Sequence, residues 1–232
     1  MLRLQPVSLL LVVAAFACLG SVTAQEKKPP AADKDGWKEF FDGKTLDGWK
    51  AAKFFKAGEV RVKDGMIVME KGDRMTGVTY TRGDFPKMDY EVTLEGKRID
   101  GRDFFCTTTF PVGKDHCSLV VGGWGGRLVG LSSLNGMDAS ENDTRIERGF
   151  EKDRWYRFRI RVTEKRIQAW IDADKVIDVD TEDRKISTRI ECIPNHPFGI
   201  ATWDTVGAVR ALRVRPLTEA EKKAARERPA HN

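Results

Sequence analysis

The alternation of apolar and charged residues is most regular in Trp155-Tyr156-Arg157-Phe158-Arg159-Ile160-Arg161-Val162. Side chains of a β-strand point alternately to opposite faces, so three arginines share one face and four apolar residues share the other. The pattern therefore predicts an outer strand whose apolar face covers a core and whose charged face meets solvent. We expect Trp155, Phe158, Trp170 and Ile177 to be largely buried in that core.

Further short alternating runs flank this strand between Trp37 and Pro216. They comprise residues 59–62, 66–69, 90–94, 167–172, 175–179 and 208–214. Gly, Asp, Asn and Pro separate the runs, which is typical of antiparallel strands joined by turns. Helices do not alternate with these strands, so a parallel sheet is not indicated. We predict an all-β fold of two stacked antiparallel sheets, with one substantial helix capped by Thr218 and Glu221.

The chain begins with the features of a secretory signal peptide. Arg3 precedes an apolar run, and Val22 and Ala24 are small residues at the positions that signal peptidase reads. The run is shorter than the roughly 20 residues of a spanning helix, so we predict export after cleavage near Ala24 and no membrane span. A lipoprotein anchored at Cys18 and an uncleaved anchor are the alternatives. The predicted organisation is a signal peptide over 1–24, a flexible linker over 25–36, one domain over 37–216, and a short helix and tail over 217–232.

The charge pattern indicates a solvated surface. The chain has 40 Lys and Arg against 35 Asp and Glu, a net charge of +5, and the two signs are interspersed. A nucleic-acid partner is therefore not expected. These patterns leave the oligomeric state open.

Three cysteines follow the leader: Cys106, Cys117 and Cys192. Their odd number leaves at least one thiol outside any internal disulfide. Cys106 and Cys117 flank the turn at 111–115 almost symmetrically. A cross-strand disulfide and buried free thiols are equally expected for this pair.

A more specific signature is Phe41-Asp42-Gly43-Lys44-Thr45-Leu46-Asp47-Gly48-Trp49-Lys50. It resembles the opening FDGKxLDGW segment of the 3-keto-disaccharide hydrolase family. Further segments with family likeness are residues 58–65, 89–97, 154–156 and 170–179, and the likeness extends over about 37–216. The resemblance implies a concanavalin A-like jelly-roll sandwich that hydrolyses glycosides oxidised at C3, so the expected partner is a carbohydrate.

Two segments depart from the family pattern. Gly101-Arg102-Asp103 replaces an Asn-Ser-Gly turn, and residues 118–123 replace a more polar strand. Because a fold does not by itself transmit a function, a second hypothesis stays open. In that hypothesis the domain binds carbohydrate, or another surface partner, without catalysis.

The candidate catalytic residues are Glu95, Lys97 and His116. Glu95 and Lys97 lie on the polar face of the strand that begins at Tyr90, and they match the acid and the base of the family's strand motif. We therefore expect them on the concave sheet, with His116 returning near the same cleft. A C3 carbonyl acidifies the C2 proton, so Glu95 or His116 would remove it while Lys97 faces the enolate charge. The alternative is a solvated outer face.

Six further residues are candidates for substrate binding. Trp124 lies among the glycines of 122–126, which predicts a tight turn that exposes the indole for stacking on a sugar, with core packing as the alternative. Asp103 is expected near the same cleft. A long polar loop contributes Asn135 and Asp138, since loops of this length often carry function. Trp203 and Asp204 complete the set.

No cofactor is predicted. The acidic residues Asp178, Asp180, Glu182 and Asp183 offer oxygen ligands, but they lack the glycine of a tight calcium loop. The sequence also lacks a CxxC motif. A divalent metal is possible, although no motif supports it.

Overall fold

The structure is a computed structural model that describes residues 32–227. The predicted signal peptide, the start of the predicted linker and residues 228–232 lie outside the described residues. The strands are β1 Lys38–Glu39, β2 Trp49–Ala51, β3 Val60–Lys63, β4 Met66–Met69, β5 Met75–Tyr80, β6 Tyr90–Gly101, β7 Thr107–Val112, β8 Asp115–Gly122, β9 Leu128–Ser132, β10 Ile146–Glu147, β11 Tyr156–Thr163, β12 Arg166–Ile171, β13 Asp174–Asp180, β14 Gly199–Trp203 and β15 Thr205–Pro216.

These strands form two antiparallel sheets. The eight-stranded sheet has the order β13-β12-β11-β6-β15-β4-β3, with β1 added beside β15. The seven-stranded sheet has the order β10-β9-β8-β7-β14-β5-β2. Strands distant in sequence are neighbours, as β6 and β15 show. The predicted all-β jelly-roll sandwich is confirmed.

The core lies between the two sheets. Phe158 of β11 is opposite Leu94 of β6, and both side chains are at most 1% exposed. The hydroxyl of Tyr90 donates a hydrogen bond to the carbonyl of Pro111 at 2.7 Å, which joins β6 of one sheet to β7 of the other. Large aromatic side chains from both sheets fill the remaining space: Tyr156, Phe105, Phe110 and Phe198.

Two of the four predicted core residues are inside and two are not. Phe158 and Ile177 are buried, as predicted. Trp155 and Trp170 are only partly buried, so their placement in the core was wrong. The inward positions of β12 are taken by Ile167, Ala169 and Ile171, which leaves Trp170 on the outer face. The two indoles are instead covered by arginines there, with the guanidinium carbon of Arg159 3.9 Å from the Trp170 ring and that of Arg210 4.0 Å from the Trp155 ring.

The cysteines are free and buried. Cys117 is opposite Phe110 in the β7–β8 hairpin, so Cys106 lies four residues out of register with it. Two side chains that are not opposite each other in this way cannot form a cross-strand disulfide. Cys106, Cys117 and Cys192 are therefore thiols, which settles the two alternatives in favour of buried free thiols.

A C-terminal helix, Glu219–Arg226, begins at the predicted cap. The hydroxyl of Thr218 accepts from the Glu221 amide, and the Glu221 carboxylate accepts from the Thr218 amide at 2.9 Å. Glu221 also accepts from Arg215 at 2.6 Å, and these hydrogen bonds lower the pKa of Glu221 to about 2. Over residues 32–227, no helix is long and apolar enough to cross a membrane.

A 3-10 helix, Ile190–Asn195, crosses the outer face of the seven-stranded sheet. The side-chain amide of Asn195 donates to the carbonyl of Val78 at 2.9 Å, and the Thr79 hydroxyl donates to the carbonyl of Pro194 at 2.7 Å. A Cβ at Gly199 would lie 2.3 Å from the Asn195 side chain, so only glycine permits this close approach. The helix therefore forms a wall above the sheet.

Candidate functional site

A cleft of about 280 Å³ lies beside this wall, on the outer face of the seven-stranded sheet. Its floor consists of alternate residues of β7, β8 and β9, which face away from the core. Its lining includes Asp103, Phe104, Thr107, Ser118, Trp124, Ser132, Arg189, Glu191, Cys192 and Trp203.

Trp124 stands at the rim of the cleft on a tight turn, Gly123–Gly126. Its φ of 48° is left-handed and its side chain is 49% exposed. Cβ atoms at Gly122 and Gly126 would lie 2.6 Å from the Arg98 guanidinium and 2.5 Å from the Arg102 carbonyl. The turn therefore requires glycine at both positions, and the predicted exposure of the indole is confirmed.

Asp103 holds the opposite side of this turn. Its carboxylate accepts a hydrogen bond from the Gly125 amide at 3.1 Å and another from the Phe104 amide at 2.7 Å. Phe104 follows it into the cleft, where its ring centroid lies 6.0 Å from that of Trp203. Three aromatic side chains, Phe104, Trp124 and Trp203, thus surround one opening.

Arg189 and Glu191 form the charged wall. The guanidinium donates to Glu191 through two hydrogen bonds of 3.1 and 3.3 Å, and to Asp138 at 2.6 Å. The hydrogen bonds from Arg189 lower the pKa of Glu191, so its carboxylate is ionised at neutral pH. The cleft thus holds a cation and an ionised carboxylate in direct contact.

Hydroxyl groups line the floor. The Ser118 and Thr109 hydroxyls are 2.8 Å apart and satisfy each other. The Thr107 hydroxyl is buried and has no hydrogen-bond partner within the described chain. Cys192 lies next to this floor. Burial raises the pKa of its thiol, so the thiol is protonated at neutral pH. Thr107 is therefore the polar group of the floor with an unused hydrogen-bonding capacity.

Three of the residues predicted to bind substrate line this cleft: Asp103, Trp124 and Trp203. Asp138 reaches it through Arg189. Asn135 lies outside the lining, where its side chain accepts from the Lys185 amide at 2.8 Å. Asp204 also lies outside and pairs with Lys71 at 2.6 Å.

His116 lies on the same face as the cleft floor, two residues before Ser118, but it does not line the cleft. Its ring stacks on that of His196 with the centroids 4.0 Å apart. Burial lowers the pKa of both imidazoles, and that of His196 falls to about 4. The pair is therefore neutral at pH 7.

Glu95 and Lys97 lie on the other layer of the sandwich, on the outer face of the eight-stranded sheet. Glu95 pairs with Arg210 at 2.8 Å, and Lys97 pairs with Asp153 at 3.4 Å. The expected shared cleft with His116 and Trp124 is wrong, because the core separates the two outer faces. Their position matches the alternative of a charged outer face.

No group of three or more His, Cys, Asp or Glu side chains suited to a metal ion occurs in residues 32–227. The acidic side chain Asp178, considered above as a calcium ligand, is instead held by Lys175 and Arg166 at 2.6 Å each.

The family model described as the 3-keto-alpha-glucoside-1,2-lyase-like domain matches residues 36–215. The chain belongs to this family. The family match agrees with the resemblance carried by residues 41–50, and it relates the domain to sugar chemistry. No curated protein sequence matches the chain significantly.

Solved structures show the same fold as this 3-keto-alpha-glucoside-1,2-lyase-like domain at low identity. Crh5 transglycosylase in complex with NAG is 16% identical with a TM-score of 0.55, over 82% of this chain and 88% of that chain. A candidate glycosyl hydrolase of Parabacteroides distasonis is 12% identical with a TM-score of 0.52, over 85% and 98%. The exoplasmic/lumenal domain of VIP36, bound to Ca²⁺ and Man3GlcNAc, is 9% identical with a TM-score of 0.51, over 88% and 100%. At such identities the likeness shows the fold alone.

Sequence patterns of this lyase-like domain did not reveal Phe104, Thr107, Arg189, Glu191 and Cys192. Residues 189–195 have no alternation, and only the tertiary structure packs them against β5 and β14, beside the cleft floor. Asp103 was predicted near the cleft because a strand over 103–110 was expected beside the strand that begins at Tyr90.

Proposed function

We propose that this protein is an exported hydrolase that cleaves the glycosidic bond of 3-keto-glycosides in the cleft of the seven-stranded sheet. One observation supports this most: an ionised carboxylate, a guanidinium and three aromatic side chains line a single opening. Aromatic faces suit sugar rings, and the charged pair suits proton transfer next to a developing enolate. Membership of the family adds support for the substrate class.

The proposed chemistry begins with the acidic proton at C2 of the oxidised sugar. Glu191 takes that proton, and the electron pair of the C2–H bond delocalises onto the C3 carbonyl oxygen as an enolate. The enolate then collapses to form a C1=C2 double bond, the C1–O bond breaks, and the leaving oxygen receives the proton back from Glu191. Addition of water across C1=C2 completes the hydrolysis.

The remaining cleft residues have supporting roles in this proposal. Arg189 faces the enolate oxygen, where its positive charge lowers the energy of the developing anion. Trp124 and Trp203 contact the faces of the sugar ring. The Thr107 hydroxyl, which has no partner within the described chain, forms a hydrogen bond with a sugar hydroxyl. An unsatisfied buried hydroxyl is costly, so a ligand that satisfies it gains affinity.

The test uses a 3-keto-glucoside with a chromogenic leaving group, assayed with and without divalent metal ions. Wild-type protein should release the chromophore, and Glu191→Gln should lower kcat/KM by about 10²–10⁴-fold, the usual contribution of a general base. The comparison variant is the double substitution Glu95→Gln with Lys97→Met on the opposite sheet, where the earlier hypothesis located catalysis. Activity that is lost in the double variant and kept in Glu191→Gln would move the active site to the eight-stranded sheet.

A second candidate function is carbohydrate binding without catalysis. It is favoured by the two hydrogen bonds from Arg189, which occupy both oxygens of Glu191. In that case the same assay releases no chromophore, while the 3-keto-glucoside still binds and Trp124→Ala weakens the binding.

A further inference from the structure

Exposed apolar side chains are concentrated beside the cleft. Phe55 is 75% exposed and Ile190 is 77% exposed, far beyond the exposure of other large apolar residues in the described chain. Clustered exposure of this kind marks a binding surface more often than isolated exposure does. The two residues belong to different segments that meet at one cavity.

This second cavity has a volume of about 610 Å³ and adjoins the cleft. The two share Met75, Glu191 and Trp203 as lining residues. A molecule bound in the cleft can therefore continue past Glu191 into the second cavity. The proposed catalytic carboxylate lies at the junction, which is where a scissile bond between two parts of a substrate would lie.

The linings of the two spaces differ in chemistry. Both linings are largely apolar, but the cleft floor presents the hydroxyl groups of Thr107, Ser118 and Ser132, whereas the described lining of the second cavity contains no hydroxyl side chain. The charged residues of the second cavity are Lys53, Asp73, Arg74 and Glu191. Its apolar lining residues are Phe54, Phe55, Met75, Ile190, Pro194 and Trp203. Aliphatic side chains gain little from contact with the hydroxyls of a second sugar, but they gain from covering an apolar ring.

We propose that the second cavity is an aglycone site that takes an apolar aromatic group, so that the preferred substrates are aryl 3-keto-glycosides rather than sugars linked to sugars. This assignment rests on the proposed function, because it places the sugar in the cleft.

The test compares a naphthyl 3-keto-glucoside with a 3-keto-disaccharide. Wild-type protein should show a higher kcat/KM for the naphthyl substrate. The double variant Phe55→Ala with Ile190→Ser should reduce the ratio of the two kcat/KM values by about tenfold, equivalent to 1.4 kcal/mol. Both side chains are exposed, so their replacement should not unfold the domain.

Ile193→Ser is the matched control. Ile193 is on the same 3-10 helix and is 54% exposed, but it does not line the second cavity. Its substitution should leave the ratio unchanged. A ratio that falls equally in the control and the double variant would overturn the aglycone assignment.

Binding of 2-naphthol, measured by calorimetry, separates this assignment from the proposed catalysis. The assignment predicts saturable binding that the double variant weakens about tenfold. Naphthol binding without turnover of either glycoside would overturn the proposed hydrolase and retain the apolar site. Turnover without naphthol binding, and without a preference between the substrates, would overturn the aglycone site alone.

Discussion

The pKa of the Glu191 carboxylate is determined mainly by one neighbouring side chain, that of Arg189. Hydrogen bonds from Arg189 lower its pKa, burial raises it, and the charge of Arg74 lowers it further. A general base acts only when it is ionised, so a lowered pKa keeps the base active at more acidic pH. The pH at which kcat/KM falls on the acidic side of its profile, the acid limb, should therefore depend directly on the contact between Arg189 and Glu191.

Arg189→Met should move the acid limb of the kcat/KM profile to higher pH. The substitution removes the cation and its hydrogen bonds, so the pKa of Glu191 rises and protonation inactivates the base sooner as the pH falls. The plateau should also drop by about 10²–10³-fold, because the enolate loses its counter-charge. The measurement is kcat/KM from pH 3 to pH 8.

Arg157→Met provides the comparison for that profile. Arg157 is a 71% exposed arginine side chain on the outer face of the eight-stranded sheet, remote from the cleft. Its loss should leave the acid limb in place. An acid limb that does not move in Arg189→Met would show that Glu191 is not the base.

At the scale of the element, alternation along a strand was sufficient to place most side chains. The register of β6, β11 and β15 puts Val92, Leu94, Phe158 and Val214 on the core side, as their apolar character predicts. The two tryptophans follow the same alternation, since Trp155 shares the outer face with Arg157 and Trp170 alternates with the buried Ala169 and Ile171, so their expected burial in the core went against the pattern. On that outer face the guanidinium of Arg159 covers Trp170, so an indole outside the core is still partly shielded from solvent.

Phe158→Ala should destabilise the domain by about 3–5 kcal/mol, because it leaves a cavity at the centre of β11. The ring is 1% exposed and contacts the region around Gly96, where an added Cβ would lie 3.1 Å from it. The free energy of unfolding from denaturant titration measures the effect. Arg157→Ala, on the neighbouring position of the same strand, should change it by no more than about 0.5 kcal/mol. Similar losses in both variants would contradict the assignment of inner and outer faces.

At the scale of the whole molecule, the two outer faces of the sandwich have different surfaces. The eight-stranded sheet carries arginines stacked on Trp37, Trp155 and Trp170, with acidic partners between them. The seven-stranded sheet carries the cleft, the second cavity and the exposed apolar side chains. Asp33, within the predicted linker, forms an ion pair with Arg213 of β15 in the eight-stranded sheet.

The predicted signal peptide leads us to expect that a bacterial host will export the protein and cleave it after Ala24. N-terminal sequencing of the exported protein should begin at Gln25, because Val22 and Ala24 satisfy signal peptidase. Ala24→Leu should block cleavage, since a bulky residue does not fit the position before the cut. An intact Met1 in the wild-type product, or a lipid on Cys18, would contradict the prediction.

The sequence by itself determined the fold class, the helix cap at Thr218 and the family, because alternation, capping and the segment 41–50 are local signals. It also gave Asp103, Trp124 and Trp203 as candidate site residues, and these three line one cleft in the structure. Only the tertiary structure decided that Glu95 and Lys97 lie on the sheet opposite Trp124. Strand periodicity tells which side chains share a face, but the layer to which that face belongs depends on pairing between strands distant in sequence. Arg189 and Glu191 were missed for the same reason, since a 3-10 helix acquires its role only from the sheet on which it packs.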